Sequence, residues 1–351
     1  LLVVDDSALN RRNIADVFAT QRDVEVVGKA GDGEEALRLV SLLKPDVITL
    51  DLEMPKMDGF TFLRILMSKQ PTPVIVVSSY AQKENVFKAL ELGALDFVTK
   101  PDQRIPEDAY ELKEQILAKV LMVRSLRTSL VAPPMRRSLL SGNFATDPRD
   151  PRESAPQIRA YVAPRYLVAI GSSTGGPSAL LEIFSKVPQT TTSAIVVAQH
   201  MPDKFTRTFA ERLDKRGPVR TREAEDGEKI SRGTGFVCPG RQCMEVITVE
   251  SELRLKVGPP GSDRYVPSAD RLLTSAAKAM GSRAVGIVLT GMGDDGLEGA
   301  RAIREAGGIV IAESQETAVV YGMPGTVVKA GLASKVLPLP EIAEYVAALA
   351  T

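Results

Sequence analysis

Ser173, His200 and the adjacent acids Asp294 and Asp295 are the residue types of a nucleophile, a general base and its orienting carboxylate. Each stands just past an apolar run that reads as a strand. His200 is the only histidine in 351 residues, so any chemistry needing an imidazole has one candidate. Ser173 lies in Gly171-Ser172-Ser173-Thr174-Gly175, the glycine-x-serine-x-glycine spacing of a nucleophile elbow. There the glycines allow a sharp strand-to-helix turn, and the helix that follows aims free N–H groups at a developing oxyanion. The same loop also reads as a glycine-rich phosphate cradle, although it lacks the Gly-Lys-Ser/Thr ending of one. In Thr290-Gly291-Met292-Gly293-Asp294-Asp295-Gly296 one acid is expected to cap the next helix and the other to act in the site. The spacing leaves open which is which.

The first half carries a second set. Asp5-Asp6, Asp51, Ser78-Ser79 and Lys100-Pro101 each follow a run with strand character. Clustered carboxylates are hard oxygen ligands suited to Mg²⁺, and a nearby lysine can pair with an added anion. These residues predict a metal-dependent acyl-phosphate site at Asp51.

The elements that must position both sets alternate in type. Strands are expected at Leu1–Val4, Val24–Val27, Val47–Leu50, Val74–Val77 and Phe97–Thr99. Amphipathic helices lie between them, and a last one is expected over Asp108–Val123. Such alternation implies a parallel sheet covered on both faces. A proline- and arginine-rich stretch over 126–164 reads as a linker. The second half, 165–351, resumes with strands at Leu167–Ile170, Ala194–Ala198, Val285–Leu289 and Ile309–Ala312. An antiparallel section is expected over Val219–Val257. Ligands of open α/β sheets bind at the carboxyl ends of the strands, where all these polar residues fall.

Lys+Arg and Asp+Glu are equal at 44 each, which argues against a dedicated nucleic-acid binder. Two cysteines, Cys238 and Cys243, make neither a disulfide framework nor a zinc site, so a reducing, cytoplasmic setting is expected. No apolar run suggests membrane insertion. The start inside a strand, without Met, suggests a trimmed N-terminus.

At these residues the first half resembles a response-regulator receiver domain, which is flavodoxin-like, on Asp5-Asp6-Ser7, Thr49–Pro55, Asp58-Gly59, Val77–Ser79 and Lys100-Pro101. The whole chain resembles the chemotaxis protein-glutamate methylesterase and glutamine deamidase family, on Ile170–Gly176, Gln199–Pro202 and Leu289–Gly296. The resemblance implies a receiver over 1–125 and a methylesterase domain over 165–351. It implies phosphorylation of Asp51 by a chemotaxis histidine kinase, with Mg²⁺ held by Asp6, Asp51 and the Glu53 carbonyl and supported by Asp5. Ser78 and Lys100 would engage the phosphoryl group, and Phe97 would be the aromatic switch. It further implies Ser173 as nucleophile, His200 as base, Asp295 as its carboxylate, oxyanion N–H groups near Thr174 and Met292, and no cofactor for the esterase reaction. The substrate would be methyl-accepting chemotaxis receptors, and the receiver would contact the catalytic domain when Asp51 is unmodified. The contrasting expectation is a response regulator with a DNA-binding or nucleotide-binding second domain.

Overall fold

Two parallel sheets, each covered by helices, put the polar residues of both sets at strand ends. The structure, a computed structural model, describes residues 1–79, 83–100, 106–123 and 161–349. Pro101 and nearly all of the expected linker lie outside these residues. The first sheet holds β1 (Leu2–Val4), β2 (Gly28–Ala30), β3 (Ile48–Leu50), β4 (Val74–Ser78) and β5 (Asp96–Thr99) in the order β2-β1-β3-β4-β5, every pair parallel. Its helices are α1 (Ala8–Phe18), α2 (Gly33–Leu43), α3 (Gly59–Lys69), α4 (Lys83–Glu91) and α5 (Pro106–Met122). The first three start where a side chain accepts an otherwise unpaired N–H: Ser7 from Asn10, Asp32 from Glu35 and Asp58 from Thr61. Each such cap is worth about 1 kcal/mol. β3 and β4 are buried along their whole length, which is why they read as unbroken apolar runs.

The second strand is displaced from its expected place at Val24–Val27. Val24 and Val26 do pack against the core. The ladder with β1, however, pairs Leu2 with Gly28 and Val4 with Ala30. Apolar spacing reported burial there, and hydrogen bonding fell further along the chain.

The second sheet has seven strands, all parallel, in the order β14-β13-β12-β6-β7-β9-β8. They are β6 (Leu167–Ser172), β7 (Ala194–Gln199), β8 (Arg220–Glu223), β9 (Thr234–Val237), β12 (Ala284–Val288), β13 (Ile309–Glu313) and β14 (Lys335–Leu337). A separate antiparallel hairpin joins β10 (Cys243–Val249) to β11 (Glu252–Gly258). Helices α6 (Gly176–Lys186), α7 (Asp203–Arg216), α8 (Ala269–Met280), α9 (Leu297–Glu305), α10 (Met323–Lys329) and α11 (Leu339–Ala348) complete it. The antiparallel section is thus narrower than expected, because β8 and β9 join the parallel sheet. The link between them cannot close as a hairpin: Ile230 N–H donates to the Leu253 carbonyl, and Leu255 N–H donates to that of Glu228. These bonds lay the link along β11 and return β9 beside β7.

The strand order reverses between β1 and β3 in the first sheet and, in the second, between β6 and β12 and again at the β9-β8 edge. A crevice opens at the carboxyl end of such a reversal, and it is the usual ligand site of an open α/β sheet. Asp5, Asp6 and Asp51 follow β1 and β3, while Ser173 and Gly291–Asp295 follow β6 and β12. One apolar core runs across both units, with Phe87 and Phe97 of the first beside Phe205 and Phe209 of the second.

Candidate active site

The ends of β6, β7 and β12 are laced together by backbone hydrogen bonds. His200 N–H donates to the Ser172 carbonyl at 3.0 Å, and Ser173 N–H donates to that of Thr290 at 3.0 Å. Gln199, beside the histidine, donates through Nε2 to the carbonyls of Ser173 (2.9 Å) and His200 (3.0 Å), while its Oε1 accepts from the Ser172 hydroxyl (2.6 Å). Gly291 permits the third loop to come this close, since a Cβ there would stand 2.8 Å from Ser173 Cβ. Ser173, His200 and Asp295 therefore occupy one crevice.

His200 Nε2 lies 2.7 Å from Asp295 Oδ2, which leaves Nδ1 as the ring nitrogen able to take a proton from serine. Asp295 is 1% exposed. Burial pushes its carboxyl up, yet the His200 hydrogen bond and charge and the N–H groups of Ala269 and Asp270 outweigh it and hold the group below its ordinary value. Those two N–H groups open α8, so the carboxylate also sits on a helix N-terminus, where negative charge is favoured. Asp294 points elsewhere, accepting from the Tyr265 hydroxyl at 2.9 Å and pairing with Arg264 at 3.3 Å. Ser173 Oγ makes no hydrogen bond among the described residues. Such bonds are often long before substrate binds and tighten in the complex.

The N–H groups of Thr174, next to the serine, and of Met292, next to Gly291, likewise donate to no group among the described residues. Met292 is 44% exposed. The Thr174 hydroxyl donates to Asp96 Oδ2, which also pairs with Lys119. Asp96 belongs to β5, so the loop holding the serine is bonded directly to the other unit. Around that bond Phe97 packs on Phe205 (4.7 Å between centroids), Phe87 stacks on Phe209 (5.6 Å), and Arg212 reaches Glu84 (2.9 Å) and Glu91 (2.5 Å).

In the first crevice, carboxylate oxygens of Asp5, Asp6 and Asp51 lie within 4.8 Å of one another, a donor set that fits a hard divalent cation. Lys100 Nζ reaches Asp51 Oδ2 at 2.6 Å and Asp5 Oδ2 at 3.0 Å. Burial pushes the Asp51 carboxyl above its ordinary value and outweighs the pull of the Lys100 ammonium, with the Asp5 charge adding to the rise. Ser78 is buried, and its carbonyl accepts the Lys100 N–H at 2.7 Å. The Glu53 side chain is exposed beside Asp6 and Phe60 in an open cavity of about 560 Å³.

A family model described as CheB methylesterase matches residues 168–346, and one described as response regulator receiver domain matches residues 1–108. A protein-glutamate methylesterase/protein-glutamine glutaminase of Myxococcus xanthus is 46% identical over 354 residues, covering 100% of this chain and 96% of that protein. The chain belongs to the CheB methylesterase family. A second CheB-family relative, from Geobacter sulfurreducens and of the same name, is 44% identical, covering 99% of this chain and 96% of the relative. The crystal structure of the Thermotoga maritima CheB methylesterase catalytic domain is 39% identical, with a TM-score of 0.51, covering 54% of this chain and all of that one. Membership of the CheB family, with a receiver ahead of the catalytic domain, favours an esterase over a DNA-binding or nucleotide-binding output. Among the described residues no helix is long and apolar enough to cross a membrane.

Several members of the site carried no assigned role in the sequence. Gln199 had a signal, as a polar residue beside the lone histidine at a strand end. Asp96 had a weaker one, an acid opening an apolar strand. Tyr265 had none, because only folding brings it to His200.

Proposed function

We propose that this chain is a phosphorylation-regulated serine esterase that removes methyl groups from glutamate methyl esters of chemotaxis receptors, and deamidates glutamines at such positions. Its receiver would span 1–125, its linker 126–164 and its catalytic domain 165–351, in the cytoplasm. The observation that carries the reading is the 2.7 Å His200–Asp295 pair in the same crevice as Ser173, in a chain of this family.

Ser173 Oγ attacks the ester carbonyl carbon while His200 takes its proton. The tetrahedral oxyanion is met by the N–H groups of Thr174 and Met292, each such donor being worth roughly 3 kcal/mol. His200 then gives its proton to the departing methoxide, which leaves as methanol. Water attacks the acyl-enzyme, passes a proton through His200 back to Ser173 Oγ, and frees the glutamate carboxylate. With a glutamine the leaving group is ammonia. Asp295 fixes the imidazole and stabilises its charged form throughout.

Control comes from Asp51, which takes a phosphoryl group from a histidine kinase. Asp5, Asp6 and Asp51, with the Glu53 carbonyl, would hold Mg²⁺, which when bound neutralises charge on the transferring group. Lys100 and Ser78 meet the phosphoryl oxygens. Lys100 then leaves its present bonds to Asp51 and Asp5, and the change reaches Phe97 and the neighbouring unit. The decisive measurement is methanol release from methylated receptor membranes by wild type, Ser173→Ala and His200→Gln, with and without an acyl-phosphate donor. Both variants should fall to background; a Ser173→Ala rate near wild type would remove the reading. Chelation of Mg²⁺ should abolish stimulation by the donor and leave the unstimulated rate unchanged. Equal loss of both rates would place the metal in the esterase step.

A further inference from the structure

Tyr265, in the segment between β11 and α8, bonds to Asp294 and also reaches His200. Its ring lies nearly parallel to the His200 imidazole, with 8° between planes and 5.3 Å between centroids. Its hydroxyl is anchored on Asp294, and Arg264 lies over its ring at 5.0 Å while pairing with the same aspartate. Burial, then the bond to Asp294, raise the hydroxyl above its ordinary value, so it remains a neutral donor. Gly293 makes room for this arrangement. Its φ is +91°, and a Cβ there would lie 2.4 Å from Tyr265 Oη.

We infer that Tyr265 is a positioning residue of the reaction, stacking on His200 to fix the ring and to favour the imidazolium formed when Ser173 gives up its proton. The inference rests on the esterase reading. The negative face of an aromatic ring attracts a cation within about 6 Å, and an offset parallel stack holds a ring's orientation. Asp295 thus grips His200 by one ring nitrogen while Tyr265 covers a face. Asp294 acquires a definite part as the anchor of that cover. The charged and titratable groups around His200 are Asp295, with Asp270 behind it, and on the other side Tyr265, Asp294 and Arg264. Only the Tyr265 group is altered in the test below.

The test uses the full chain, methylated receptor membranes and methanol release from pH 5 to 9, for wild type, Tyr265→Phe and Tyr265→Leu. Tyr265→Leu should lower kcat about 5- to 30-fold with little change in KM. It should also move the acidic limb of kcat/KM to lower pH by roughly half to one unit, because the imidazolium loses its π face. Tyr265→Phe keeps the face and should keep the wild-type limb. Tyr265→Leu with a wild-type rate and limb overturns the inference. So does an equal loss in both variants with the limb unmoved, since that is the mark of general loosening. If Tyr265→Leu does not fold, Tyr265→Met, which fills the space without a π face and leaves Asp294 in place, must shift the limb the same way; an unchanged limb there overturns the inference. An inactive wild type, or an active Ser173→Ala, would instead sink the esterase reading and is separately visible.

Discussion

Asp295 and Glu313 are both buried carboxyls at the same end of one sheet, yet their surroundings drive them in opposite directions. Asp295 has an imidazole and two helix-opening N–H groups, which outweigh burial. Burial dominates at Glu313 and raises it to about 7; the Thr290 N–H and the Thr317 hydroxyl offset it in part, and the Glu182 charge adds to the rise. The consequences for folding have opposite signs. Stabilisation from Asp295 is complete above the ordinary carboxylate range and is lost as pH falls through its lowered value. Glu313 keeps a proton that the unfolded chain has released, so stability declines as pH rises from its ordinary 4.5 to about 7. Glu313→Gln should remove up to about 3 kcal/mol of that decline, measured by denaturant unfolding at pH 5 and 7.5. Asp270, raised to about 6 chiefly by burial, contributes a smaller decline that the variant retains. Equal pH slopes in the two proteins would show that Glu313 is ionised throughout. Ser173 and His200 were legible because local spacing marks strand ends. Glu313 was not, because the burial that defines it comes from residues far along the chain.

Element by element, legibility followed burial. β3, β4, β6 and β7 announced themselves as buried apolar runs. β14 was missed, for Lys335 and Val336 are exposed and Leu337 only half-buried on a sheet edge, where no apolar period is imposed. α10 was missed because it is one seven-residue piece entered through Pro324. At this scale β5 makes the sharpest prediction. Its first residue, Asp96, holds the Thr174 hydroxyl and Lys119 together. Asp96→Asn weakens two charge-assisted bonds and should raise methanol release by the unphosphorylated protein about three- to tenfold, with a smaller further gain on phosphorylation. An unchanged basal rate would remove this bond from the restraint.

For the whole molecule, the contact between units combines an aromatic cluster with peripheral ion pairs, and magnitudes decide which holds it. The rings of Phe87, Phe97, Phe205 and Phe209 are buried, and each aromatic pair adds about 0.5–1.5 kcal/mol beyond its area. The partners of Arg212 are 70% exposed at Glu84 and 50% at Glu91, which limits each pair to roughly 0.2–1 kcal/mol and makes it sensitive to salt. Raising salt from about 0.05 to 0.5 M should therefore change the basal rate less than emptying the aromatic cluster does. Phe209→Ala, which empties the cluster, should raise it severalfold. A larger response to salt than to Phe209→Ala, in the same methanol assay, would make the ion pairs the latch.

β5 is only four residues long, and its two ends serve different chemistries. Asp96 at one end binds the Ser173 loop through Thr174, and Lys100, one residue past the other, binds Asp51. Four residue steps of extended chain measure roughly 13 Å. A message from the proposed phosphorylation site to the proposed esterase site thus has a path shorter than the eleven-residue helix α6, which is roughly 16 Å long, and that path does not pass through the covalent tether. A protein cut between residues 126 and 160 should still answer phosphorylation, with its two pieces mixed as separate molecules, at concentrations where they associate.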